Sequence, residues 1–342
     1  MQIALDAMGG DRGTDLLIRG ALAAISENKD LGVTLLGPVD HLKARLDALD
    51  NGWQDRYRGL LLEQAAEVVD MHESPVDAVR RKKNSTVMVG FDLIRQGRAD
   101  ALVSAGNSGA TLAAAIRKLG RLPGISRPGL ASFFPTLKKP VMLMDVGANV
   151  DCRPAHLVEF AVMAASCSRL LLRRQNEPRV GLLSNGEETS KGNAQVKEAH
   201  DLLRNSSLNF IGNVEGRDVY KGDVDVIVCD GFVGNTCLKV SEGLAEAAGK
   251  MLKQEIMKSW RAKLGYLLIR RAFNAFRKKV DYAEYGGAPL LGINGVAIIC
   301  HGTSDSVAIK NAIEVGASMS RLRVNEAILE TLNAWQKGGK RP

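Results

Sequence analysis

Ala101-Leu102-Val103-Ser104-Ala105-Gly106-Asn107-Ser108-Gly109-Ala110-Thr111-Leu112-Ala113-Ala114-Ala115-Ile116 is the stretch that decides the fold. Its first residues read as a strand covered on both faces. A glycine-bearing turn follows, and then an alanine-rich run suited to a helix. The same order recurs along the chain. A strand at 2–5 leads into Asp6-Ala7-Met8-Gly9-Gly10-Asp11, and one at 141–144 into Asp145-Val146-Gly147-Ala148-Asn149. Residues 180–183 lead into Ser184-Asn185-Gly186-Glu187-Glu188, and residues 226–229 into Asp230-Gly231-Phe232-Val233-Gly234-Asn235. The run 296–300 ends in Cys300-His301-Gly302-Thr303-Ser304-Asp305. Further strands are expected at 33–36, 60–62 and 209–211. Helical patterns lie at 14–26, 39–49, 86–95, 110–119, 154–172, 194–203, 240–258 and 304–333. Strands alternating with helices predict βαβ units in a mostly parallel sheet, with right-handed crossovers. One α/β domain over residues 1–342 is the expectation. In such sheets ligands bind outside the carboxyl ends of the strands, where these loops gather. Glycine lets backbone approach a ligand, and helix N-termini favour anions. The loops therefore predict a broad polar site for an anionic small molecule.

Composition narrows the class. The chain has 342 residues, 45% apolar and 25% charged, as in ordinary globular proteins. Met1 leads directly into a strand, so no signal or transit peptide is expected. No apolar run approaches the ~18 residues of a spanning helix. The five cysteines, Cys152, Cys167, Cys229, Cys237 and Cys300, form no CxxC pair. They read as reduced thiols in a cytosolic protein rather than as metal ligands. The net charge of +8 is concentrated between residues 251 and 282. Nine basic residues there face only Glu255 and Asp281, a local net of +7. They interleave with Trp260, Tyr266, Leu267, Leu268, Ile269, Phe273 and Phe276. This basic amphipathic excursion suits an anionic membrane surface or an acidic protein partner. A helix pair at a dimer interface would carry the same pattern. No nucleic-acid motif accompanies it. The tail 337–342 reads as disordered.

The motifs set the chemistry. No GxGxxG follows the first strand and no GxxxxGK[ST] occurs, which argues against a standard dinucleotide site and a P-loop. No HExxH or Cys/His cluster points to a transition metal. Gly106-Asn107-Ser108-Gly109-Ala110 approaches a nucleophile elbow, and Asp230 and His301 follow in Ser–Asp–His order. A serine hydrolase built on Ser108 is one reading. The anion reading uses more residues. Arg80-Arg81-Lys82-Lys83 precede a helix start near Ser85. Lys191 stands at another helix start, where a cation does not favour the helix dipole, so it either pairs with Glu187 or Glu188 or meets a substrate anion. Asn235 either caps a helix or offers its amide to a carbonyl or phosphate. Asp6, Asp11, Asp145 and Asp230 read as turn and helix caps.

Taken together, these loops resemble the bacterial phosphate acyltransferases of phospholipid synthesis, the acyl-[acyl-carrier-protein]–phosphate acyltransferases. The resemblance rests on the loops quoted above with Arg127-Pro128, Val150-Asp151 and Lys191-Gly192, and runs from the first strand to the last helix. The opening loop departs from the family pattern by continuing as Arg12-Gly13-Thr14. The family implies a Rossmann-like three-layer α/β/α fold, similar to the phosphotransacetylase and isocitrate-dehydrogenase class. It implies acyl transfer from acyl-acyl-carrier protein to inorganic phosphate, without cofactor or metal, with the acyl phosphate passed to a glycerol-3-phosphate acyltransferase. It also implies a homodimer in the cytoplasm, held peripherally at the inner face of the cell membrane, with no nucleic acid as partner. By this resemblance Lys191 and Asn235 stand nearest the reacting groups. Lys82, Asn107, Ser108, Asn149 and His301 contact phosphate or the acyl-pantetheine. Lys263, Leu267, Leu268, Arg270 and Arg271 meet membrane or carrier.

Overall fold

The structure, a computed structural model, describes residues 1–280 and 282–338. Its strands are β1 (Gln2–Asp6), β2 (Gly32–Gly37), β3 (Leu60–Gln64), β4 (Ala101–Ser104), β5 (Gly129–Phe134), β6 (Val141–Met144), β7 (Val180–Leu183), β8 (Phe210–Val214), β9 (Val226–Val228), β10 (Ala288–Leu291) and β11 (Ala297–Ile299). They form one 11-stranded sheet in the order β3-β2-β1-β4-β11-β10-β5-β6-β9-β7-β8. On one side β3, β2, β1, β4 and β11 are parallel, and on the other β6, β9, β7 and β8 are parallel. Between these wings every neighbouring pair is antiparallel: β11 with β10, β10 with β5, and β5 with β6. The wings therefore run in opposite senses. β5 and β10, the strands that make the reversal, are the ones the apolar runs did not predict.

The helices are α1 (Thr14–Glu27), α2 (Val39–Leu49), α3 (Trp53–Arg56), α4 (Pro75–Arg81), α5 (Thr86–Arg95), α6 (Ser108–Lys118), α7 (Pro154–Leu171), α8 (Ala194–Arg204), α9 (Gly231–Met257), α10 (Trp260–Val280), α11 (Ser306–Arg321) and α12 (Val324–Gly338). Side chains of α1, α2, α7, α8, α11 and α12 join one core on one face of the sheet. Those of α4, α5 and α6, with Cys237 and Leu238 of α9, join a second core on the other face. This is the expected three-layer α/β/α arrangement. α7 is buried nearly all round, with Leu157, Val158, Phe160, Ala161 and Val162 fully covered. Each such Leu, Val or Phe contributes about 1.5–3 kcal/mol on burial.

Two helix expectations are corrected. The pattern over 304–333 is two helices, broken at Arg323, whose φ of 54° is left-handed and ends the run. α9 begins at Gly231 rather than near residue 240, so the loop Asp230–Asn235 is largely a helical first turn. Packing explains this. A Cβ on Gly231 would lie 2.6 Å from the Asn149 carbonyl oxygen, and one on Gly234 only 1.8 Å from that of Asp145. Glycine at both places lets the turn seat on the Asp145–Asn149 loop. α10 packs back along α9. It leaves Trp260, Leu264, Leu267, Leu268 and Ile269 exposed, Leu268 by 83%. Among the described residues no helix is long and apolar enough to cross a membrane. The tail expected to be disordered falls partly on α12, which runs to Gly338; residues 339–342 lie outside the described residues.

Candidate active site

β6, β9 and β7 are neighbours, so their carboxyl ends bring together the loops that begin at Asp145, Asp230 and Ser184. Asp145 organises the first. Its Oδ1 accepts from the backbone N–H of Leu130 (3.0 Å), Gly147 (3.1 Å) and Ala148 (3.0 Å). Its Oδ2 accepts from Asn149 N (2.8 Å) and Asn149 Nδ2 (2.9 Å). Burial pushes the carboxyl above its ordinary value, against these hydrogen bonds, which lower it. Asn149 also donates to Pro128 O at 2.7 Å, so its amide shapes the loop from within. Asn235 lies in the first turns of α9, exposed, with its Cβ and Cγ 3.5 Å from an ideal Cβ on Gly147. It does not cap α9. That cap is Asp230, which accepts from Val233 N at 2.9 Å.

Lys191 enters from the β7 loop. Its Cγ lies 2.7 Å from an ideal Cβ on Gly186, so the stem crosses the glycine backbone. Among the described residues the exposed ammonium makes no ion pair. The loop is anchored to its neighbours: Asn185 Oδ1 accepts from Gly192 N at 2.9 Å, and Gln195 Nε2 donates to Cys152 O at 2.7 Å. Cys152 in turn lies against the start of α9, near Gly231. Lys191, Asn149 and Asn235 thus belong to adjoining loops.

The β1, β4 and β11 loops form a second cluster. Asp6, also buried, accepts from Ser104 Oγ (2.8 Å), Gly9 N (3.0 Å) and Met8 N (3.2 Å). Burial raises its carboxyl too. Asn107 caps α6 by accepting from Ala110 N at 2.9 Å. Its Nδ2 is aimed at the carbonyls of Asp70, Met71 and Glu73. Lys82 donates to Val68 O at 2.7 Å and pairs with Glu73, so Lys82 and Asn107 converge on the same turn. Ser108 is exposed at the first position of α6. His301 Nδ1 lies 2.8 Å from Thr303 Oγ1, and Nε2 lies 3.1 Å from Lys239 Nζ. In the Ser–Asp–His reading a carboxylate would hold Nδ1; here that atom faces Thr303, and Asp230 caps α9.

Lys239 went unnoticed in the sequence. It lies four residues after Asn235, so both are on one face of α9, Cβ atoms roughly 5–6 Å apart. That i, i+4 spacing was the available signal, hidden because the helix was expected to begin later. Through Lys239 the α9 helix, which starts in one loop cluster, touches the other.

Burial also decides what the thiols can do. It pushes Cys152 up to about 11 and raises Cys229 and Cys237. Thiols held in the neutral form are poor nucleophiles. Among the described residues no cluster of His, Cys, Asp and Glu is arranged to hold a metal ion.

The two-winged sheet is shared with the phosphotransacetylases. EutD phosphotransacetylase from Staphylococcus aureus aligns over 94% of both chains with a TM-score of 0.58 at 19% identity. A phosphotransacetylase from Streptococcus pyogenes aligns over 94% of both with a TM-score of 0.62, also at 19% identity. These similarities establish the fold class. Closer relatives define the family. Residues 1–327 match the family described as fatty acid synthesis protein. The phosphate acyltransferase of Pelobacter propionicus is 53% identical over 333 residues, 97% of this chain and 94% of that one. That of Geobacter sulfurreducens is 52% identical over 332 residues, with the same coverage. The chain belongs to this fatty acid synthesis family and is an acyltransferase of the phosphate acyltransferase group.

Proposed function

We propose that the protein transfers a long-chain acyl group from acyl-acyl-carrier protein to inorganic phosphate, giving acyl phosphate for phospholipid synthesis. The observation that carries the reading is the pairing of Lys191, whose ammonium makes no ion pair among the described residues, with the exposed amide of Asn235, on the segments that leave the neighbouring strands β7 and β9. Phosphate is already an anion at neutral pH, so the reaction needs positioning and charge neutralisation rather than a covalent nucleophile. The raised thiols agree with direct attack. Lys191 holds phosphate. A phosphate oxygen attacks the thioester carbonyl, Asn235 donates to the developing oxyanion, the C–S bond breaks, and the carrier leaves as thiolate. Asn149, Asn107 and Lys82 hold the loops in shape, while Ser108 and His301 face the acyl-pantetheine.

The exposed apolar and basic side chains of α10 support a docking role. Lys263, Arg270 and Arg271 suit an acidic carrier protein or anionic lipid headgroups, and Leu267 and Leu268 suit the acyl boundary of a bilayer. The protein works as a homodimer at the inner face of the membrane, handing its product to a glycerol-3-phosphate acyltransferase.

The test is thiol release from purified palmitoyl-acyl-carrier protein with and without phosphate, trapping acyl phosphate as hydroxamate. Phosphate-dependent release with a trapped hydroxamate is expected. Release independent of phosphate would replace this reading with hydrolysis at Ser108. Lys191→Ala should lower turnover ~10²-fold or more with an unchanged Tm, and full activity in that variant would remove Lys191 from the mechanism.

A further inference from the structure

The contact between Lys239 and His301 joins the two loop clusters. α9 is capped by Asp230 at the end of β9 and seated on the Asp145 loop through Gly231 and Gly234. One turn beyond Asn235, Lys239 Nζ reaches His301 Nε2 at 3.1 Å and Glu242 Oε2 at 2.8 Å. His301 follows β11 in the other wing. Its neighbour Gly302 accepts from Asp11 N at 2.7 Å, which ties it to the β1 loop. On its other side the ring is held by Thr303: Nδ1 accepts from Thr303 N at 3.2 Å and lies 2.8 Å from Thr303 Oγ1. The contact therefore sets the separation between His301 and Asn235.

That separation matters because the wings are opposite-running halves of the sheet, joined at the reversal where β10 pairs with β5 at Leu290 with Leu130 and Leu291 with Gly129. In a two-substrate transfer, rate depends on holding both reactants at reacting distance, and small misplacements are costly. We infer that Lys239 is a positioning residue for acyl transfer, fixing His301 and the β11 loop against the Asn235 turn of α9. Glu242, three residues along the helix, steadies the Lys239 side chain.

The inference rests on the acyl-transfer reading, and one assay separates the two. If the wild-type protein shows no phosphate-dependent thiol release, the reading itself fails. If it does, Lys239→Met should lower kcat about 10-fold or more, with KM for phosphate within about twofold of wild type. Lys239→Arg, which keeps a long cationic side chain against the His301 ring, should recover most of kcat. The double variant Lys239→Met with His301→Ala should be little worse than the poorer single variant, because the two residues act as a unit. Unchanged kcat in Lys239→Met overturns the inference. A rise in KM for phosphate at constant kcat overturns it too, and makes Lys239 a phosphate ligand. Multiplicative losses in the double variant separate Lys239 from His301 and also overturn it. If Lys239→Met fails to fold, Lys239→Gln replaces it under the same criteria.

Discussion

Asp6 and Asp145 are the same device in two settings. Each ends the first strand of its loop cluster, is buried, and gathers the N–H groups of the residues just after it. Around Asp6 the space is filled by backbone. A Cβ on Gly9 would lie 2.7 Å from Gly106 N, and one on Gly10 3.2 Å from Gly302 O. Around Asp145 the neighbour is instead the first turn of α9, which presents the exposed side chain of Asn235. A buried carboxylate can therefore either close a loop on other loops or brace it under a side chain left facing outward. In the acyl-transfer reading the first is a wall behind the loops of Ser108 and His301, and the second is the support under the Asn235 side of the site.

The sharpest way to break this contrast is to add a methyl group at each. Gly234→Ala would set a Cβ 1.8 Å from the Asp145 carbonyl oxygen. The α9 turn must lift, and turnover should fall ~10²-fold or more through the displaced Asn235. Gly9→Ala should destabilise by about 1–3 kcal/mol through overpacking, yet retain turnover per folded molecule. Equal loss of turnover in both would erase the distinction between wall and site.

Charge removal comes next in size. Both oxygens of Asp145 accept only from N–H groups, so Asp145→Asn must point an NH2 group at donors. Two lost hydrogen bonds at about 1–3 kcal/mol each are expected in denaturant unfolding. Asp6→Asn should cost less, because its amide can donate to the Ser104 hydroxyl, which can turn to accept. A greater cost at Asp6 would overturn this ranking.

The pH dependence has a definite sign. Both carboxyls are raised above 3.8 in the folded protein, so the native state holds these protons longer than the unfolded chain. Their stabilising contribution is complete below about pH 3.8 and is lost as pH rises through the folded value. Asp6→Asn should therefore gain Tm relative to wild type as pH rises from about 4 to 7. A constant difference across that range would contradict the raised carboxyl. The smallest effect is expected far from either loop: Arg270→Glu with Arg271→Glu should change stability by less than about 0.5 kcal/mol, while weakening binding to anionic vesicles.

Much of this architecture was legible locally. Strands such as Val141–Met144 and Val226–Val228 are continuous apolar runs ending in Asp and Gly, and that signal requires no knowledge of partners. The reversal at the centre was not legible. Gly129–Phe134 opens on glycine without alternation, and Ala288–Leu291 contains Pro289, which breaks a strand pattern. Both became strands because neighbours on each side supply the pairing. The start of α9 was missed for the converse reason: Gly231 and Gly234 lower helix propensity, but close seating on the Asp145 loop outweighs that cost. In the candidate site, Lys191 was marked by charge at the wrong end of a helix. The inward-facing amides of Asn107 and Asn149 carry no sequence signal that separates a loop-builder from a ligand-binder.

The length of α9 has one more consequence. At 27 residues it is a strut of about 40 Å, with Asn235 near its base and the exposed leucines of α10 folded back from its far end. Whatever surface those leucines rest on, the side chain of Asn235 stands off from it by the length of the strut. Under the proposed acyl transfer, a product formed at the base would have to cross that gap or be met there, so the helix would set the reach demanded of whatever collects it.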